Sequence, residues 1–152
     1  MPAAGWRSGT VAGGGGPGCR RPLAGRCSGL RILRVMTDTS ALDPEDRKIV
    51  TLARSARARN SVPEGAAVRD ETGRTYVAGT VALDSLRLTA LQTAVAMAVA
   101  SGATSLEAAA VVTDAAAPSE ADRAAVADLG GAATPILLAG PDGTIRSTTT
   151  AG

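Results

Sequence analysis

Ile49, Leu52, Ala53 and Ala56 recur at helical spacing opposite Arg47, Lys48, Arg54 and Arg57, which predicts an amphipathic first helix ending near Asn60. Its start is marked by Asp43 as N-cap, Pro44 at the first helical position, and Glu45 and Asp46 complementing the helix dipole. Pro63 and Gly65 interrupt the chain before a short strand expected around Ala66 to Arg69. The turn Asp70-Glu71-Thr72-Gly73 leads into a returning strand from Thr75 to Val81. From Thr89 to Ser101 the sequence is apolar nearly all round, which predicts a second helix in the middle of the structure, stopped by Gly102. Ala108 to Thr113 is a continuous apolar run of the kind found in a strand covered on both faces. A third helix is expected from Ser119 to about Leu129, carrying Ala125, Val126 and Leu129, with Gly130-Gly131 as its stop. Pro135 to Leu138 predicts a further buried strand, followed by the turn Gly140-Pro141-Asp142-Gly143 and a weak edge strand from Thr144. The order α, β, β, α, β, α, β, β specifies a three-layer α/β/α sandwich with a mixed five-stranded sheet.

Composition divides the chain into unequal parts. Residues 1–35 contain six arginines, no acid and the run Gly13 to Gly18, and are expected to be a disordered Gly/Arg/Pro-rich extension. Met36-Thr37-Asp38-Thr39 resembles an ordinary protein start, so the extension is expected to lie upstream of the true first residue. Residues 42–146 are expected to form the domain and residues 147–152 a flexible tail. The remaining 117 residues carry ten basic and fourteen acidic side chains, so the folded body is acidic. With Trp6 and Tyr76 the only aromatics, stacking platforms for single-stranded nucleic acid are missing, and no nucleic-acid partner is expected. The longest apolar stretch, Ala90 to Ala100, is too short to span a bilayer, and no membrane partner is expected.

The chemistry available is sparse. There is no histidine, so no Ser/His/Asp arrangement can form, and Cys19 and Cys27 match no zinc spacing and read as reduced thiols of a cytoplasmic protein. The Gly13 to Gly18 run lacks the lysine and following helix of a phosphate-binding loop.

Gly65 to Ala67, Thr72 to Tyr76, Thr93 to Val95, Val111 to Asp114, Pro118 with Arg123, and Thr134 to Leu137, in this order and spacing from about Leu42 to Ile145, together resemble the cytidine deaminase family. Gly65-Ala66-Ala67 is similar to that family's first strand and Thr72-Gly73-Arg74-Thr75-Tyr76 to its hairpin. Thr93-Ala94-Val95 is similar to its central helix, and Val111-Val112-Thr113-Asp114 to the strand before its second motif. Pro118 and Arg123 match that second motif, and Thr134-Pro135-Ile136-Leu137 resembles the strand after it. The family's first motif is Cys-Ala-Glu-Arg-Thr-Ala and its second Pro-Cys-x-x-Cys-Arg. The resemblance places Thr89, Ser119 and Asp122 at the zinc-ligand positions, Leu91 at the catalytic glutamate, and Thr80-Val81-Ala82 at the Asn-x-Glu that reads the sugar.

Hydrolytic deamination of cytosine needs a zinc-bound hydroxide and a glutamate to move protons. The resemblance therefore implies a degenerate member with no catalytic residue, no metal ligand set, no substrate-binding residue and no cofactor, although zinc is expected in active members. Thr89 with Gln92, and Ser119 with Asp122, instead fit two capping boxes, each cap contributing about 1 kcal/mol. The function these residues favour is a non-catalytic interaction or regulatory module, with an unidentified protein partner. The alternatives are a zinc-dependent cytidine deaminase converting cytidine to uridine, and a nucleoside-binding sensor. The resemblance also implies a homo-oligomer assembled through helices.

Overall fold

The computed structural model describes residues 42–152. The expected extension at 1–35, its two cysteines and the start at Met36 lie outside the described residues. Three helices, α1 (Pro44–Asn60), α2 (Ala90–Ala100) and α3 (Glu120–Gly130), pack on a five-stranded mixed sheet. Its order is β2 (Thr75–Gly79), β1 (Gly65–Asp70), β5 (Leu106–Val112), β6 (Pro135–Ala139) and β7 (Ile145–Thr150). Only β5 and β6 run parallel, and α3 makes the crossover between them. Among the described residues no helix is long and apolar enough to cross a membrane.

Alternation along the strands builds two cores. Ala66 and Val68 of β1, Ala109 and Val111 of β5, and Ile136 and Leu138 of β6 join Ala90, Leu91, Ala94, Val95 and Ala98 of α2 and Val126 of α3. The intervening residues, Ala67, Ala108, Ala110, Val112, Leu137 and Ala139, join Ile49, Val50 and Ala53 of α1. The expected α/β/α sandwich is thus formed, with α1 alone on one face. Small residues let the layers approach closely. A Cβ on Gly65 would lie 2.1 Å from the Ala53 carbonyl oxygen, so only glycine allows β1 to start directly beneath α1.

Four expectations need correction. Val50 is buried where the helical stripe placed Leu52, which is only half-buried. The second helix is not buried all round: Leu91 and Val95 face the sheet, but Met97 and Val99 are 42% and 55% exposed. The returning strand stops at Gly79, and Val81–Ala82 (β3) pairs instead with Arg87–Leu88 (β4) in a small separate hairpin. Finally, residues 147–152 are not a loose tail. Thr150 pairs with Pro135 in β7, Ala151 is buried, and the Gly152 N–H donates to Ala132 O, because β6 has a free edge that this segment satisfies.

The β1–β2 hairpin is pinned by a buried acid. Asp70, 1% exposed, accepts from the Thr72 and Arg74 amides (both 2.9 Å), the Thr72 hydroxyl (2.7 Å) and the Tyr76 hydroxyl (3.1 Å). Burial pushes its pKa up, but these hydrogen bonds, led by the Thr72 hydroxyl, outweigh it and hold the carboxyl below its ordinary 3.8. A depressed folded-state pKa adds stability that is fully present above the unfolded value and fades as pH falls through the folded one. The melting-temperature gap between wild type and Asp70→Asn should therefore hold constant near neutrality and narrow below about pH 4. A gap that persists undiminished at about pH 2 would contradict this assignment.

Candidate functional site

The N-termini of α2 and α3 meet beyond the carboxyl end of β5, and each is closed by a capping box. Thr89, extended at φ −66°, accepts from the Gln92 amide at 3.2 Å while Gln92 Oε1 accepts from the Thr89 amide at 3.2 Å. Ser119, also at φ −66°, accepts from the Asp122 amide at 3.1 Å, and Asp122 Oδ2 accepts from the Ser119 amide at 3.2 Å. Both expected caps are present.

The two caps are also joined, which sequence reasoning missed. Thr89 Oγ1 donates to Asp122 Oδ1, and Ser119 Oγ donates to Asp122 Oδ2 at 2.7 Å. Asp122, 4% exposed, thus ties together two helix starts that lie 33 residues apart in sequence. The α2 first turn has no acid of its own, so Asp122 supplies negative charge to the positive ends of both helices. Thr93 Oγ1 donates back to the Thr89 carbonyl at 2.8 Å, adding a further local bond at the start of α2.

The structure therefore brings Thr89, Ser119 and Asp122 into one cluster, as the resemblance implied, but their chemistry does not fit zinc. Two of the three groups are neutral hydroxyls, and both oxygens of the single carboxylate are already engaged by those hydroxyls. Among the described residues no group of three or more His, Cys, Asp or Glu side chains could hold a metal. Leu91 is fully buried in the α2/α3 core, where it fills space and offers no proton.

Thr80, Val81 and Ala82 line an open groove of about 320 Å³ together with Arg87, Leu88, Thr89 and Gln92. Thr80 is fixed by its amide, which donates to Glu64 O at 3.3 Å. The β3–β4 hairpin that forms the far wall turns at Asp84-Ser85, where the Leu83 amide donates to Leu86 O at 2.9 Å. Its sequence signal is the polar pair Asp84-Ser85 set between Leu83 and Leu86. Ser119 and Asp122 do not line this groove.

The shared carboxylate changes what truncation should do. Ser119→Ala removes one cap hydroxyl and should cost about 1 kcal/mol, whereas Asp122→Ala removes the acceptor shared by the half-buried Thr89 and the exposed Ser119 and should cost about 2 kcal/mol. In a Thr89→Ala/Asp122→Ala double-mutant cycle, denaturant unfolding should give a coupling of about 1 kcal/mol or more, and additivity would show that the caps are independent.

A family model described as "Cytidine deaminase-like" matches residues 42–143. The structure resembles the cytidine deaminase from Burkholderia pseudomallei at 26% identity and a TM-score of 0.59, covering 69% of this chain and 91% of that one. The enzyme from Mycobacterium leprae shares the fold at 23% identity and a TM-score of 0.56, covering 68% and 91%. That from Mycobacterium tuberculosis does so at 23% and 0.54, covering 62% and 85%. No curated protein matches the sequence significantly. With its layered sheet, its paired helix starts and a matched span that runs from α1 to the β6–β7 turn, this chain belongs to the cytidine deaminase-like family.

Proposed function

We propose that this chain is a non-catalytic deaminase-fold module acting through protein contacts, in which a hydroxyl–carboxylate clamp stands where the family's metal would. The observation that carries this reading is the mutual hydrogen bonding of Thr89, Ser119 and Asp122 beside a buried Leu91. Deamination requires an activated water and a proton carrier. These four residues supply neither. Because Leu91 is wholly enclosed, a Leu91→Glu change would bury a carboxylate, at a cost on the order of several kcal/mol, and would still give it no nucleophile to activate.

The same reading includes self-association and a cytoplasmic location. Helix α2 carries no charged residue, and it presents Ala96, Met97, Val99 and Ala100 outward. An uncharged surface of small and medium apolar side chains is complemented by a second copy of itself across a two-fold axis, the alanines permitting close approach.

One preparation tests both parts. Purified wild-type protein and Leu91→Glu should each leave cytidine unconverted, while wild type should sediment as a dimer or larger species and Val99→Asp as a monomer. Chelator-sensitive conversion of cytidine to uridine, lost in Asp122→Ala, would restore the enzyme. A wild-type monomer at micromolar concentration would remove the self-association.

A further inference from the structure

The groove beside α2 has an unusual balance of hydrogen-bonding groups. Its one charged lining residue is Arg87, and no acid faces it. Arg87 is exposed and makes no hydrogen bond or ion pair among the described residues, so all five of its N–H donors are unspent. Gln92 uses its Oε1 to accept from the Thr89 amide, which leaves its side-chain NH2 with no partner among the described residues. The Thr89 hydroxyl is committed to Asp122, and the Thr80 hydroxyl is held only at 3.5 Å from Glu64 O. The strongest groups left available are therefore the donors of Arg87 and the Gln92 NH2, with the Thr80 hydroxyl and the second lone pair of Gln92 Oε1 as weaker acceptors, set against an apolar wall of Val81, Ala82 and Leu88.

We propose that this groove is a binding site for a small ligand carrying an oxyanion, phosphate or carboxylate, on a compact apolar or planar body. The planar fork of Arg87 would take the oxyanion bidentately, and the Gln92 NH2 would donate to an acceptor on the body. At about 320 Å³ the groove lies at the small end of ligand sites, the size of one ring with a charged substituent. A neutral ligand would leave the guanidinium unused. A cation would meet repulsion from it with no acid to compensate. This inference goes beyond the function proposed above, because it requires neither catalysis nor a protein partner.

The test is titration of the full chain, followed by amide and side-chain NMR shifts, with two matched pairs of probes: uridine against uridine monophosphate, and uracil against uracil-6-carboxylate. In at least one pair the anionic member should bind saturably and at least about threefold more tightly than its neutral counterpart, as a charge-assisted contact to a solvent-exposed arginine allows. The shifts should centre on the Gln92 NH2 and residues 80–89. Because Arg87 is exposed, Arg87→Gln should keep the wild-type spectrum elsewhere and abolish that preference. The two pairs also distinguish phosphate from carboxylate. The proposal fails if neither anion saturates at millimolar concentration, if the neutral members bind equally well, or if Arg87→Gln retains the preference.

Discussion

The buried carboxylate of Asp122 is the constraint on which the middle of this molecule depends. Two helices that follow different strands must start side by side, and their first amides point into the same small volume. A single acid accepting from Thr89 and Ser119 satisfies both starts, neutralises two dipole ends and fixes their separation. Polar groups in such a place stabilise only when every one is paired, and here each hydroxyl both donates to Asp122 and accepts from its own helix. Both carboxylate oxygens of Asp122 are thus engaged within the pair of caps.

Around that clamp the fold is held by an interior of unusually small side chains. Ala66, Ala67, Ala108, Ala109 and Ala110 occupy the centre of the sheet, and Gly65 lets α1 sit almost on the backbone of β1. Close layers bring many weak contacts into range without large residues, and they explain how a chain without phenylalanine still forms two cores. Charged edges complete the packing: Arg69 reaches Asp46 of α1 and Glu107 of β5, each at 3.1 Å, tying the outer helix to two strands.

Much of this was legible in the sequence because local signals coincide with global ones. The Asp43 and Pro44 helix start, the Thr89 and Ser119 caps, and the apolar runs in β5 and β6 appear where periodicity and capping chemistry place them. The losses have physical reasons. The apolar character of α2 signals two different burials, one against the sheet and one left outward at Met97 and Val99, and periodicity cannot distinguish them. The β7 extension through Thr150 is written in polar threonines, whose strand character comes from the open edge of β6. The bond between Thr89 and Asp122 joins positions with no local relation, so only the three-dimensional structure reveals it. The groove was anticipated through Thr80 to Ala82, but its charged member, Arg87, was hidden in a hairpin too short to register as strands.

The central claim is that hydrogen bonds, and not a metal, organise the paired helix starts. It is tested most directly by measuring the zinc content and melting temperature of untagged protein before and after exhaustive chelation, and again after adding zinc. A ligand that binds only the folded state must raise its stability, so a clamp that needs no metal predicts zinc far below one per chain and melting temperatures that agree within about one degree in all three conditions. Close to one zinc per chain, together with a marked fall in melting temperature on chelation that added zinc reverses, would contradict it.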